Sequence, residues 1–448
     1  MTSILIKDAF IVNENKIFQG SILIKENKIA DIFNNSLTVN IEETTKVIDA
    51  KGKYLFPGII DEHVHFREPG FTNKGDIYTE SKAAVEGGIT SIMDMPNTSP
   101  PTTSIEYLEK KFIIASEKSI TNYSFYIGAT NNNIEEILKI NPLLYCGIKV
   151  FLGQSTGELL INNKKALIKL FKKSNSLIAA HCEDSEIIQK NINIYKNKYG
   201  DNIPVKFHHL IRSNESCYKS TASITSLAQK YNKRLHILHL STEKELDLFD
   251  NSIPLKNKLI TSEVCIHHLY FDKSYYNKLG NLIKTNPSIK TITDKNALLN
   301  GIINNKIDSI ATDHAPHTYQ EKQSTYLNSP SGCPMIQHSL PAILEFYHEN
   351  KISLEKIVEK MCHNPAEIFS IDKRGYIKKG YWADIILVDL NCNWEVNRDN
   401  ILYKCNWSPF ENHIFHSKVT HTFINGNLVF ENGKFNETIK GQRLEFKR

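Results

Sequence analysis

PGIIDEHVHFREPG, residues 57–70, joins a short apolar run to two histidines. The run predicts a buried strand, Ile59–His65, that carries His63 and His65 at its C-terminal end. Side chains two positions apart on a strand point to the same side, so both imidazoles can face one ion. The pair alone is a weak signal, because two such histidines can also hydrogen-bond within a core.

The residues that follow alternate between short apolar runs and longer amphipathic stretches, such as 104–118 and 163–175. The further predicted strands are Ile89–Met95, Tyr123–Ala129, Gly147–Phe151, Leu177–His181, Arg234–His239, Leu259–Glu263 and Ile307–Asp313. Eight strands alternating with helices over roughly 300 residues predict an α/β fold, a (β/α)8 barrel whose site lies at the C-terminal strand ends. A doubly wound sheet is the alternative, but no GxGxxG motif follows an early strand.

Both ends of the chain have a different pattern. Short alternating runs separated by polar turns predict antiparallel strands before residue 57 and after residue 370. Asn425-Gly426 is a favourable hairpin turn between two of them. We therefore expect a barrel over 57–370 and one small β domain assembled from 1–56 and 371–448.

Four more polar residues lie where a predicted barrel strand ends. Lys149 lies near the end of the fourth strand, whereas His181 ends the fifth, His239 the sixth and Asp313 the eighth. Histidines that merely satisfy hydrogen bonds in a core would not favour strand ends so uniformly. Because imidazole and carboxylate groups suit zinc, these residues together with the histidine pair predict a zinc site.

Lys149 is the unusual member of this set, because a buried ammonium group beside metal ions is strongly disfavoured. It fits if the amine is neutral, or if CO2 has converted it to a carbamate, an anionic bridge with two oxygens. The carbamate predicts two ions, one on His63 and His65 and the other on His181 and His239. Ions roughly 3.5–4 Å apart can share a hydroxide. Asp313 would bind the first ion and carry the proton from that hydroxide to the leaving amide nitrogen.

Composition excludes several other classes of protein. The 448 residues include 54 basic and 49 acidic side chains, a formal charge of +5 without a long basic block. Lysine pairs such as 164–165 and 172–173 are typical of solvated helix faces, so neither nucleic acid nor membrane binding is expected. No apolar window approaches a membrane span. Eight cysteines without a CxxC pair, and no recognisable signal peptide, predict reduced thiols in a cytoplasmic protein.

Several motifs together resemble the dihydroorotase family, in the cyclic amidohydrolase branch of the amidohydrolase superfamily. They are HxHFREPG (63–70), AAVEGGITSIMDMPNTSPPT (83–102), IKVF (148–151), the strand-end histidines, ATDHAPH (311–317), NPAEIF (364–369) and KKGYWADIILVD (378–389). The likeness covers essentially the whole chain. It implies a barrel with a β-sandwich built from both ends, two zinc ions, and reversible cyclisation of N-carbamoyl-L-aspartate to L-dihydroorotate in pyrimidine biosynthesis. Lys149 places the chain with members that use a bridging lysine rather than an aspartate. Homo-oligomers are common in the family.

The resemblance also implies residues that bind substrate. Arg67, Asn97 and His317 match the residues that hold the ring carboxylate, and Asn286 matches one near the ring. Arginine suits this role because its planar fork can bind a carboxylate through two hydrogen bonds. For Arg67 alone, a surface ion pair with Glu68 is an equal alternative, but the presence of Asn97 and His317 favours substrate binding. Gly332 and Pro334 correspond to a loop beside the ring, whereas Ser288 and Lys290 depart from the usual proline and arginine.

Other residues near these motifs are expected to have supporting roles. His314 points away from Asp313 if the strand persists, which favours a structural use. His267 and His268 are interpreted as pocket lining or packing, and Cys182 as core. Residues 154–158 and 284–290 are candidates for a loop that closes over substrate.

Two rival functions remain open from the sequence. Another cyclic amidase, a hydantoinase or an allantoinase, would share the metals and the mechanism. Arg67 and Asn97 argue against it, because a ring without a carboxylate would leave the cation unpaired. A catalytically inactive scaffold homologue is the other rival, although all six candidate ligands are present.

Overall fold

The computed structural model describes residues 3–34, 44–153 and 159–448. Its N-terminal strands belong to a mixed sheet, because alternating apolar residues give each strand one face to bury. They are β1 (Ser3–Asn13), β2 (Lys16–Lys25), β3 (Lys28–Asn34), β4 (Lys46–Asp49) and β5 (Tyr54–Pro57). β1 pairs antiparallel with β2 and parallel with β4 and β5.

Eight parallel strands then form a barrel in which sheet neighbours follow chain order. They are β6 (Ile59–Val64), β7 (Ile89–Asp94), β8 (Asn122–Gly128), β9 (Gly147–Phe151), β10 (Ile178–His181), β11 (Leu235–Ile237), β12 (Ile260–Cys265) and β13 (Ser309–Ala311). A parallel bridge between Val64 and His314 brings the first and last strands together. All eight predicted strands are present with ends shifted by at most two residues, so the predicted (β/α)8 fold class is confirmed.

The longer helices of the barrel mostly begin where a capping side chain precedes an amphipathic stretch. Ser104 and Asn163 cap the two helices predicted from the sequence, Ile105–Lys118 and Lys164–Lys173. The helices are α1 (Ile77–Glu86), α2 (Ile105–Lys118), α3 (Ile134–Ile137), α4 (Lys164–Lys173), α5 (Ser185–Tyr199), α6 (His208–Ile211), α7 (Asn214–Tyr231), α8 (Ile266–Tyr270), α9 (Tyr276–Leu279), α10 (Ile292–Ile303), α11 (Tyr319–Lys322), α12 (Ser339–His348), α13 (Leu354–Val358) and α14 (Asn364–Phe369). Within the described ranges, no helix combines the length and the apolar character needed to cross a membrane.

After α14 the chain returns to the sheet where it began. The last strands are β14 (Ile385–Asp389), β15 (Trp394–Glu395), β16 (Ile414–Phe415), β17 (Lys418–Ile424), β18 (Asn427–Glu431) and β19 (Lys434–Phe435). β14 pairs antiparallel with both β5 and β17, which joins the two ends of the chain. Asn425 and Gly426 have φ values of 51° and 76° between β17 and β18, the left-handed conformation of the predicted hairpin turn.

Two C-terminal stretches pack against the barrel. Between β15 and β16, the Trp407 indole N–H donates a hydrogen bond of 2.8 Å to the carbonyl of His317. At the chain end, the Leu444 N–H donates one of 2.9 Å to the carbonyl of Tyr123, near the start of β8. Leu444 and Phe446 share an apolar cluster with Ile60 of β6. The tail therefore covers the end of the barrel at which the strands begin, and the other end is left to form a site.

Candidate active site

One cavity of about 440 Å³ lies at the C-terminal ends of the barrel strands. All ten residues predicted for the site line it, although they come from widely separated parts of the chain. They are His63, His65, Arg67, Asn97, Lys149, His181, His239, Asn286, Asp313 and His317.

Asp313 is the centre of the first group of predicted ligands. Its Oδ1 atom lies 3.2 Å from Nε2 of His63 and 3.0 Å from Nε2 of His65, and all three residues are buried. Burial alone would raise the pKa of the Asp313 carboxyl, but the two histidines outweigh burial and hold that pKa well below its usual range. Asp313 is therefore ionised, a carboxylate rather than a carboxylic acid, at neutral pH.

The second group lies at the neighbouring strands β9, β10 and β11: Lys149 and His181 belong to β9 and β10, and His239 follows the end of β11 by two residues. Nδ1 of His181 is 2.8 Å from Nε2 of His239, so two nitrogens that can bind a metal converge. Lys149 is fully buried, and burial lowers the pKa of its amine to about 8 against the opposing effect of Asp313 and Glu263. A larger share of this lysine is therefore neutral near pH 8 than of an exposed one.

The donor set fits a divalent cation. Both ring nitrogens of His63 face carboxylates, Nδ1 at 2.5 Å from Glu263 and Nε2 at 3.2 Å from Asp313. A neutral imidazole has a single N–H, so only one of these contacts can be a hydrogen bond. The ligand atoms of His63, His65 and Asp313 lie within 4.8 Å of one another. A cation among them would satisfy the remaining lone pairs, and this mixture of nitrogen and oxygen donors suits zinc.

Arg67 lies inside the cavity. Its Nε donates to the carbonyl of Pro316 at 2.9 Å, and its Nη2 lies 3.0 Å from Nε2 of His317. The alternative of a surface ion pair with Glu68 is wrong. Glu68 instead accepts hydrogen bonds from the N–H of Ile77 and from the ammonium group of Lys118.

Two asparagines complete the predicted substrate-binding set. Asn97 Oδ1 lies 2.6 Å from Nδ1 of His65, so it touches a predicted metal ligand as well as the cavity. Asn286 also lines the cavity, and its buried Oδ1 has no hydrogen-bond partner among the described residues. Gly332 lines the same wall with φ 134°, and a Cβ there would lie 2.6 Å from the carbonyl oxygen of Ala315. Pro334, which was expected beside the ring, is not one of the described residues that line the cavity.

The residues expected to have supporting roles lie behind the cavity. His314 contacts Glu80 through Nε2 at 2.8 Å and accepts a hydrogen bond from the Met335 N–H, which confirms its structural use. His267 and His268 are buried and do not belong to the described lining of the cavity, so packing is the better of their two predicted roles. Cys182 lies in the apolar core as expected.

Of the two segments considered as closing loops, residues 154–158 lie outside the described residues. The other, 284–290, is tied down at both ends. The Lys284 ammonium donates to the carbonyls of Tyr326 and Ser329 at 2.5 Å each, and the carbonyl of Lys290 accepts a hydrogen bond of 2.7 Å from the N–H of Lys273. This segment therefore forms a fixed wall of the cavity.

Four charged residues of the site were not predicted from the sequence. Glu263 and Glu183 contact the ring nitrogens of His63 and His181, and their positions at or just after strand ends could have revealed them. Arg212 and Lys284 line the cavity from outside the strands, where no local pattern identifies them. Arg212 and Lys284 line the same cavity as Arg67. Among the described residues that line this cavity, Asp313 is the one with a carboxylate.

Comparison with known proteins identifies the family. The amidohydrolase family model matches residues 54–429. A dihydroorotase from Methanosphaera stadtmanae is 31% identical over 432 residues, with 96% of each chain covered. One from Pyrococcus furiosus is 32% identical, with 98% of this chain and 96% of the relative covered. The solved L-hydantoinase (dihydropyrimidinase) from Arthrobacter aurescens superposes with a TM-score of 0.93 at 25% identity, covering 99% of this chain and 100% of that one. The chain belongs to the amidohydrolase family.

Proposed function

We propose that this protein is a dihydroorotase, a zinc-dependent cyclic amidase that interconverts N-carbamoyl-L-aspartate and L-dihydroorotate in pyrimidine biosynthesis. The observation that carries the proposal is a single cavity in which the predicted metal ligands stand beside buried Arg67 and His317. Its relatives of 31% and 32% identity, named dihydroorotases, support the same conclusion.

We propose that His63, His65 and Asp313 hold one zinc ion and that His181 and His239 hold the other, with carbamylated Lys149 between them. When bound, the ions polarise the amide carbonyl and lower the pKa of water from 15.7 towards roughly 7. Lys149 supplies the bridge when its neutral amine nitrogen bonds to the carbon of CO2 and releases one proton. Burial favours this reaction because it lowers the pKa of the amine to about 8.

Asp313 would move the proton. Ring opening of dihydroorotate takes a proton from the attacking water and places one on the ring nitrogen that leaves. The lowered pKa of Asp313 keeps its carboxylate free to accept the first proton. Once protonated, the same group is a strong enough acid to pass the proton on. Ring closure uses the same group in reverse.

Arg67 would select the substrate, with Asn97, Asn286 and His317 around the ring. Within the described part of the chain, its side-chain contacts are a carbonyl oxygen and an imidazole rather than a carboxylate. A buried guanidinium without an anion is costly, and the carboxylate of the substrate would pair with it. The cations Arg212 and Lys284 elsewhere in the lining also favour an anionic ligand.

The same proposal divides the chain into two domains. The described lining residues of the cavity all fall between His63 and Gly332, which lies inside the predicted barrel domain of 57–370. Residues 1–56 and 371–448 would then form a supporting β domain.

A kinetic comparison of dihydroorotate, hydantoin and allantoin tests the proposed function. We expect turnover of dihydroorotate alone at an appreciable rate, because only this ring carries a carboxylate. Preference for hydantoin would instead match the activity that names the Arthrobacter aurescens structure. Metal analysis of the same protein should find about two ions per chain. A protein with neither metal nor turnover would be a scaffold.

Arg67→Met is expected to lower kcat/KM for dihydroorotate roughly 10- to 150-fold, since a hydrogen bond to a charged group contributes about 1.5–3 kcal/mol. Dihydrouracil, the same ring without the carboxylate, is the matched control, and its slow turnover should not fall. Arg67→Lys should restore part of the loss, because it retains the charge but not the fork. An equal loss for both substrates would show that Arg67 supports the fold instead.

Carbamate formation on Lys149 is expected to depend on pH. Only the neutral amine reacts with CO2, so at fixed dissolved CO2 the rate should rise about tenfold per pH unit below the pKa of the amine. It should level off near pH 8, where burial places that pKa. Recovery of activity by metal-free protein after addition of zinc and bicarbonate measures this rate. A rate that does not change between pH 6 and pH 8 would contradict the proposed modification.

A further inference from the structure

Glu263, in β12, is a buried carboxylate. It contacts the predicted metal ligand His63 at the ring nitrogen that does not face Asp313. Its Oε1 lies 2.5 Å from Nδ1 of His63 and also accepts a hydrogen bond from the backbone N–H of His239. A carboxylate accepts hydrogen bonds and does not donate them, so the proton of the imidazole lies on Nδ1. Nε2 of His63 is left with its lone pair facing Asp313 and the cavity.

Glu183 makes the corresponding contact with His181, in the second group of predicted ligands. Its Oε2 lies 3.0 Å from Nε2 of His181, and the guanidinium of Arg212 anchors the same oxygen. Here the proton lies on Nε2, and Nδ1 of His181 is left to face His239. His63 and His181 therefore present opposite ring nitrogens to the cavity. Each imidazole needs a partner of its own to fix that choice.

We propose that Glu263 and Glu183 are positioning residues, each of which fixes the tautomer and the ring orientation of one imidazole ligand. Glu263 serves the ion on His63, and Glu183 serves the ion on His181. The inference rests on the proposed metal centre and predicts that each carboxylate affects one ion more than the other. Partners of this kind usually contribute 10- to 100-fold in metal affinity.

The test replaces each carboxylate with methionine, which resembles glutamate in size but has no oxygen acceptor. Glu263→Met and Glu183→Met should each weaken one zinc site 10- to 100-fold. After dialysis against a chelator, each variant should retain about one ion where the native protein retains about two. The Gln variants, whose amide oxygen can still accept the imidazole N–H, should recover most of the affinity. Zinc content and chelator competition measure both effects.

Glu245→Gln is the matched control. Glu245 is equally buried, but it accepts hydrogen bonds from the hydroxyls of Thr221 and Thr242 at 2.7 Å and 2.9 Å rather than from an imidazole. It should retain both ions, even if thermal unfolding shows a loss of stability. If the methionine variants fail to fold, the Asp variants, one methylene shorter, should show the same loss of one ion.

Three results separate the possibilities. Folded methionine or aspartate variants that hold two ions with native affinity would overturn the positioning role and leave the proposed function intact. Equal loss of both ions in every variant, in step with the unfolding temperature, would also overturn it. Native protein that binds no ion would instead refute the proposed function.

Discussion

Asp313→Asn is expected to lower kcat for both ring opening and ring closure by roughly 10²- to 10⁴-fold, the usual contribution of a general acid or base. The amide has the shape of the carboxylate but does not accept a proton at neutral pH. Five other predicted ligands remain: His63, His65, Lys149, His181 and His239. The variant should therefore retain most of its metal. Steady-state kinetics in both directions, together with zinc content, give the result.

Asp308→Asn is the control for loss of a buried aspartate. Asp308 precedes the same strand, β13, and its carboxylate lies 2.7 Å from the ammonium of Lys258, away from the cavity. We expect it to change stability and to leave kcat nearly unaltered. Turnover of Asp313→Asn within about twofold of the native rate would exclude Asp313 as the proton carrier. Low turnover together with loss of both ions would assign it a purely structural role.

Lys149→Ala is expected to remove metal binding as well as activity. The variant lacks the nitrogen on which the carbamate forms, so the bridge between the two halves of the site is lost. We expect zinc affinity and kcat each to fall by at least about 100-fold, the upper range for residues that only support a ligand. Metal analysis and kinetics measure the two losses. Intact mass of the native protein should show the addition of one CO2.

Addition of acetate or propionate to the Lys149→Ala protein tests the bridging role more directly. A short carboxylate can enter the space left by the lysine side chain and supply two oxygens, so it should restore part of the metal binding and turnover. Lys360→Met is the matched control. Lys360 is also buried, and its ammonium donates to the carbonyl of Ile307. A Lys149→Ala protein with two ions and native turnover would show that the lysine is not a bridge.

Local patterns predicted the barrel and the ends of its strands. Apolar runs of strand length separated by amphipathic stretches predicted all eight strands to within two residues. This works because the burial of a strand or of one helix face determines which positions along the sequence are apolar. The alternation of side chains along a strand placed His63 and His65 on one side, and the structure shows both against Asp313. Because barrel sites lie at the C-terminal ends of the strands, Lys149 and His181 were predicted to belong to the same site. Both line the cavity.

The surroundings of those residues required the tertiary structure. The sequence favoured a substrate-binding role for Arg67 only through Asn97 and His317, and the burial of Arg67 beside His317 excludes the alternative ion pair with Glu68. No periodicity marks Arg212 or Lys284, which enter the cavity from outside the strands.

The sequence by itself therefore determined the barrel, the predicted ligand residues and the common side to which His63 and His65 point, since each depends on neighbours along the chain. The tertiary structure decided which nitrogen of His63 and of His181 faces the cavity. That choice is set by Glu263 and Glu183 through contacts in space. Strand period fixes the direction of a side chain, but the position of the proton on an imidazole depends on the acceptor that the fold brings to the ring.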